Sequence, residues 1–331
     1  MILPGADPQA IVDAARRIQA GELVGFPTET VYGLGADASS DKAVAGIFAA
    51  KGRPADHPLI VHLAAASQVD DYASSVPLFA TRLIQAFWPG PLTVILPRRA
   101  GVAAAAAGGQ DSIGLRCPSH PVALAFLQAC LDLGVSGVAG PSANRFGRVS
   151  PTTAQHVSQE FGDDLLVLDG GPCDIGIESS IVDCTRSRPV LLRPGVLTRA
   201  QLEAACGEPV LSEDELQEEG GAPRASGTLE SHYAPNAKVR LMDAGAIRTA
   251  LELLGADAAH IAVYARTLFS IPSTRVLYRR MPDDAAATAQ QLFAVLRGFD
   301  AQGARLIWIE HPPLDAEWDG VRDRLERAAT G

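Results

Sequence analysis

Two cations stand two positions apart in the stretch KGRPADHPLIVH, Lys51 to His62: Lys51 itself and Arg53. Pro54 stops the element that precedes them, and Leu59-Ile60-Val61 reads as a short buried strand after them. Cations on a turn at a strand edge are placed to meet an anion. Arginine adds a flat fork of donors that matches phosphate or carboxylate. The arrangement recurs along the chain. Thr28, Glu29, Thr30 and Tyr32 form a polar cluster after the strand Leu23–Phe26, and Arg116 ends the strand that begins at Ser112. Ser142 and Asn144 follow a strand of small residues, with Ser150 beyond them. His57, His62, Ser179, Ser180 and Arg193 also fall at strand ends or beside them. A pocket that joins Lys and Arg to hydroxyls fits a ligand with phosphates beside a small polar part. No acidic pair has metal-ligand spacing, so any Mg2+ arrives on the phosphates of a nucleotide.

Two other motifs carry less. Gly33–Ala38 matches G-x-G-x-x-A, but Pro27 and a polar stretch separate it from its strand, where a dinucleotide loop needs the first glycine directly after one. It is expected to be a loop. Ser39–Lys42 matches S-x-x-K without partner motifs, and Ser40 or Asp41 reads better as the N-cap of the helix running to Lys51.

The elements that must position these groups alternate between helix and strand. Helices are expected at 7–20, 67–87, 121–133 and from Pro151 to Phe161. Residues 100–109, GVAAAAAGGQ with its neighbours, read as a flexible loop. The order is not strictly β-α-β, so one α/β domain with a twisted mixed sheet is expected over residues 1–200. Residues 201–236 open on a short helix and then turn acidic and Gly-rich, as a linker does. His232 and Tyr233 are odd choices for a passive tether. Residues 237–331 read as a smaller α/β domain with strands at Val239–Met242, Ile261–Tyr264, Arg275–Tyr278 and Leu306–Ile309.

Composition sets the bounds. At 331 residues and 47% apolar, the chain can bury a real core. No apolar run reaches membrane-spanning length and the N-terminus lacks a signal peptide's pattern, so a soluble, cytoplasmic protein is expected. Five scattered cysteines fit reduced thiols better than a disulfide framework or zinc knuckle. Net charge is -10, with 8 acidic and 2 basic residues in 199–237 alone. That balance excludes nucleic-acid binding by the whole surface and leaves room for a local basic pocket.

Taken in order, PTETVYGLG, KGRPADHPLIVH, WPGPLT, GLRCPSHP, PSAN, GIESSIVD, LRPGV and the later HYAP resemble the L-threonylcarbamoyladenylate synthases, in the long form with a YrdC-like domain and a C-terminal domain. The resemblance implies a Rossmann-like C-terminal domain and an ATP-dependent reaction. L-threonine and bicarbonate or CO2 give a carbamate, which attacks the α-phosphorus of ATP to form threonylcarbamoyl-AMP and pyrophosphate. Downstream transfer proteins then modify the adenosine beside the anticodon of tRNA, and a weak contact with tRNA itself is compatible with this. The family's K-x-R and S-x-N signature falls on Lys51, Arg53, Ser142 and Asn144, with Lys51 and Arg53 as the catalytic pair. ATP contacts are implied for Arg53, His57, Ser112, Ser142, Asn144, Ser150, Arg193 and Tyr233, and threonine contacts for Thr30, His62, Arg116, Gly140 and Ser179. His232 and Tyr233 are implied as lid residues. His57 stands where some members carry Asn, and Ala225–Glu230 stands where many carry S-P-G-M-[KR]-Y. The alternative is an RNA-binding module using the same cationic face. A carbamoyl-transfer maturation factor would carry zinc-finger and acylphosphatase modules that this sequence lacks.

Overall fold

The computed structural model describes residues 1–215, 223–225, 232–255, 258–268 and 275–330. The chain forms two compact units. One comprises Met1–Phe146 and Ser150–Thr228, the other Gly147–Val149 and Leu229–Gly331.

The described strands of the first unit are β1 (Ile2–Pro4), β2 (Val24–Phe26), β3 (Gly33–Asp37), β4 (Ile60–His62), β5 (Leu92–Pro97) and β6 (Ser112–Arg116). They continue with β7 (Val138–Ala139), β8 (Leu166–Asp169), β9 (Ser180–Asp183), β10 (Val190–Arg193) and β11 (Leu211–Ser212). They form one mixed sheet in the order β1-β8-β2-β3-β7-β4-β6-β5-β9-β10-β11. Helices α1 (Pro8–Gln19), α2 (Asp41–Lys51), α3 (Val69–Tyr72), α4 (Leu78–Phe87), α5 (Pro121–Asp132), α6 (Ala154–Phe161) and α7 (Arg199–Cys206) accompany it. The sheet's two sides bury separate clusters. One includes Leu34, Ile47, Val61, Leu83 and Leu115, the other Ala14, Ile18, Phe26, Phe126 and Leu168.

Local chemistry explains where the elements begin and end. Ser40 caps α2 by accepting from the Ala43 amide at 3.3 Å, and Gly52 in the left-handed region closes it directly after Lys51. The α2 end therefore delivers Lys51 and Arg53 to one turn. The glycine pair at Gly33 and Gly35 forms strand β3, where the sequence suggested a loop. A Cβ on Gly33 would stand 2.7 Å from the Phe26 ring, and one on Gly35 would stand 2.9 Å from Val138. These glycines let neighbouring strands carry large side chains. The helix expected over 67–87 is broken. A short 3-10 turn and α3 end at Tyr72, Ala73 bridges to Arg98, the Ser74 amide donates to the Pro97 carbonyl, and α4 starts only after Pro77. The alanine run expected to be flexible is packed: Ala103, Ala106 and Ala107 are buried, and the Leu59 amide donates to the Ala106 carbonyl at 2.7 Å.

In the second unit, β12 (Lys238–Met242), β13 (Ile261–Ala265), β14 (Leu277–Arg280) and β15 (Leu306–Glu310) form a parallel sheet in the order β12-β15-β13-β14. Its β14 begins two residues later than the sequence suggested. Helices α8 (Ala244–Leu254), α9 (Ala285–Ala301) and α10 (Asp319–Ala329) belong to it. Glu310 at the end of β15 accepts from the Arg266 and Thr267 amides and the Thr267 hydroxyl, tying down the turn after β13. Residues 216–222 and 226–231 of the expected linker lie outside the described residues. No helix among the described residues is long and apolar enough to cross a membrane.

Candidate active site

Strands β4 and β6 run parallel, and their register sets His62 beside Arg116. Both side chains are buried. The Arg116 guanidinium donates from Nη1 to Thr30 Oγ1 at 2.9 Å, from Nη2 to Glu29 Oε1 at 2.5 Å and from Nε to the Gly90 carbonyl at 3.3 Å. Thr30 Oγ1 also lies 2.8 Å from Thr28 Oγ1, and Thr28 Oγ1 donates to the Val31 carbonyl. Glu29 Oε2 accepts from the Ser119 amide at 3.2 Å. A fixed cation among hydroxyls is chemically suited to a carboxylate, and the Glu29 charge offsets its cost in a dry place. Burial, and then the Arg116 charge, push His62 down from 6.5 to about 3, so this imidazole is neutral at physiological pH. Its Nδ1 has no hydrogen-bond partner among the described residues. Gly140 sits over this corner. A Cβ there would stand 2.9 Å from the Phe26 ring and 3.0 Å from His62 Nδ1.

A second corner forms where α2 meets the PSAN turn. Lys51 Nζ donates to the Ser142 carbonyl at 2.5 Å and to the Asn144 carbonyl. The K-x-R and S-x-N motifs, some ninety residues apart, thus meet through a lysine side chain and two backbone oxygens. Lys51 is only 3% exposed. Burial first, and then Arg53, pull its pKa well below the ordinary lysine value, against the opposing pull of Glu160 and Glu178. An anion arriving here would favour the protonated lysine. Arg53 donates to the Pro58 carbonyl at 3.0 Å and stands 5.9 Å from the centre of the Phe146 ring. The His57 ring meets Phe146 edge-on at 5.5 Å, and burial together with Arg53 lowers its pKa.

Further groups attach through β5, β9 and β10. Ser179 Oγ lies 2.8 Å from Thr93 Oγ1 and accepts from Arg193 Nη2 at 3.1 Å, while Arg193 Nε donates to the Ser179 carbonyl. The Ser150 hydroxyl donates to Glu178 Oε1. Ser112 lies at the opposite end of β6 from Arg116. There it lines a small cleft, partly open to solvent, together with Pro58, Thr93, Gln110, Gly114, Ile181 and Arg224.

The expected residues therefore gather into connected groups in the first unit, with two exceptions. His232 and Tyr233 belong to the second unit. Tyr233 is fully buried, stacked on Phe293 at 5.4 Å with the Arg324 guanidinium 5.2 Å from its centre, and His232 meets its ring at 4.1 Å. An ATP-contacting or lid role would require them to leave this packing. Sequence reasoning gave no role to Glu29, Glu178 or Thr93. A signal existed for the two acids: each directly precedes an expected threonine contact, Thr30 and Ser179. Lys51, Arg53, Arg116 and Arg193 are all at most 8% exposed. That suits a small ligand drawn inside and disfavours a face for an RNA backbone, which needs exposed cations.

A mixed α/β sheet whose strand ends carry buried cations and hydroxyls, in one unit with a small cleft, fits an enzyme of the nucleotidyltransferase type. Residues 16–195 match the Sua5/YciO/YrdC family model, described as telomere recombination. Residues 197–330 match the threonylcarbamoyl-AMP synthase C-terminal domain. The chain belongs to the threonylcarbamoyl-AMP synthase family. It is 38% identical to the threonylcarbamoyl-AMP synthase of Pyrococcus abyssi over 96% of this chain and 93% of that one. With the enzyme of the same name from Bacillus subtilis it shares 36% identity, over 98% and 94%. The crystal structure of P. abyssi Sua5 complexed with L-threonine superposes with a TM-score of 0.89 at 34% identity, covering 100% of this chain and 98% of that one.

Proposed function

We propose that the chain joins L-threonine, CO2 or bicarbonate, and ATP into threonylcarbamoyl-AMP with release of pyrophosphate. The observation that supports this is the presence of two polar corners within one unit: Arg116 with Thr30, read as the seat of a carboxylate, and Lys51 at the Ser142–Asn144 turn, read as the seat of a phosphate. In this reading the threonine carboxylate lies against Arg116, and the Thr30 and Ser179 hydroxyls, neutral His62 and the backbone at Gly140 surround the rest of the amino acid. The free amine adds to CO2 and loses a proton, giving a carbamate. A carbamate oxygen attacks the α-phosphorus in line, and the bond to pyrophosphate breaks. Lys51 and Arg53 lower the barrier by stabilising charge on the phosphoryl oxygens and the leaving group. His57, Ser112, Ser142, Asn144, Ser150 and Arg193 hold the nucleotide, and a divalent cation would travel with the triphosphate. The adenylate is then spent in group transfer to a tRNA adenosine by partner proteins.

Incubation with ATP and bicarbonate plus each amino acid in turn tests this. Pyrophosphate release that depends on threonine is expected; release indifferent to the amino acid would end the reading.

A further inference from the structure

Four glycines lie within strands among the described residues: Gly25, Gly33, Gly35 and Gly114. The first three are accounted for by packing, since an added Cβ would come within 3.0 Å of a neighbouring side chain at each. Gly114 is different. A Cβ there would meet Thr93 Cγ2 at 3.6 Å and Ile60 Cγ1 at 3.7 Å, ordinary contact distances, and its φ is not in the left-handed region. Glycine inside a strand costs about 0.5–1 kcal/mol relative to alanine. Neither backbone nor core requires that cost here.

The cleft supplies the reason. In β6, Ile113 and Leu115 point into the core, so Ser112, Gly114 and Arg116 share the other face. Register places Ile60 and Ile95 beside Gly114 on β4 and β5. With Ile181 these residues line the cleft, and Thr93, Ser112 and Gln110 add polar groups to it. Any side chain longer than Cβ at position 114 would stand in that space. The result is a flat apolar floor with polar groups beside it, the shape of a seat for a planar heteroaromatic ring. Arg116 lies two residues further along the strand and Ser112 two residues before, about 13 Å apart at 3.3 Å per residue.

We infer that Gly114 determines nucleotide specificity by leaving open the slot that takes the planar base; this rests on the reading of the site as an ATP site. The test is equilibrium binding to the full chain, which requires no turnover. Gly114→Ala and Gly114→Val are compared with the unsubstituted protein, using ATP, inorganic triphosphate and L-threonine as titrants. Valine suits a strand, so the fold should survive, and alanine adds only the Cβ. The expected result is ATP affinity falling from Gly to Ala to Val, by on the order of tenfold or more for Val, with triphosphate and threonine binding changed less than about twofold. Unchanged ATP affinity in Gly114→Val would overturn the inference. Equal losses for ATP and triphosphate would overturn it too, because the effect would then not act through the base. Failure of the unsubstituted protein to bind ATP would instead strike the underlying reading.

Discussion

His62 and Arg116 are register neighbours on two parallel strands, and Arg116 helps to keep that histidine uncharged. The pair makes one corner of the site dry, with a guanidinium whose charge Glu29 balances. Its balance is testable by pH. In the unfolded chain His62 takes up a proton near 6.5, whereas folded it does so only near 3. Between those values the unfolded state binds more protons, so this group makes stability rise with pH and lets it fall as pH drops below 6.5. The contribution is bounded at about 1.4 kcal/mol per pH unit. His62→Gln should flatten the dependence between pH 4 and 6.5, measured as the difference in urea midpoints. Parallel curves for both proteins would reject the assignment.

Glu29 should matter to Arg116 as much as any substrate contact. Its carboxylate is the ionic partner of a buried guanidinium, and removing one member strands the other. Glu29→Ala is expected to cost about 3–5 kcal/mol of unfolding free energy. Glu29→Gln keeps an acceptor for Arg116, so it should lose less stability while raising KM for threonine more than KM for ATP. Equal changes in both KM values would argue for a purely structural carboxylate.

Lys51→Ala should lower turnover by about 10² or more with the fold retained, the scale of losing one preorganised donor. Protonation offers a second readout. Because burial holds the Lys51 pKa down, phosphates arriving beside it should raise it again and draw a proton from solvent. Titrations of ATP at several pH values across the alkaline range should therefore find one at which the binding enthalpy depends on the buffer, as proton uptake requires, and that dependence is lost in Lys51→Met. An enthalpy independent of buffer would show that the lysine does not change state.

Tyr233 separates packing from gating. Its ring is enclosed by Phe293, Arg324 and His232 in the second unit. Truncation to alanine should destabilise that unit by about 3 kcal/mol in equilibrium unfolding. A lid role predicts the opposite pattern, with turnover lost and stability kept.

The candidate groups of the site were legible because of where they stand in the chain. Lys51, Arg53, Arg116, Ser142 and Asn144 each follow or close a strand or helix whose apolar pattern is local, and periodicity plus capping at Ser40 is enough to place such elements. Ordered motifs added the family. What lay beyond reach depends on pairing across the chain. Gly33 and Gly35 read as a loop because nothing local reveals that the Phe26 ring needs their absent side chains. The break after Tyr72 was hidden for the same reason: the competing partner is Arg98 on a distant turn.

Residue types and their spacing along the chain determined that cations and hydroxyls gather at strand ends, because charge, hydroxyl content and strand-forming pattern are properties of short segments. Only the tertiary structure decided that Glu29 neutralises Arg116, that Lys51 is buried against the carbonyls of Ser142 and Asn144, and that Gly114 faces a cleft. Burial and long-range register produce those facts. Both are set by which strands lie side by side, and that neighbour relation is not written in any single stretch of residues.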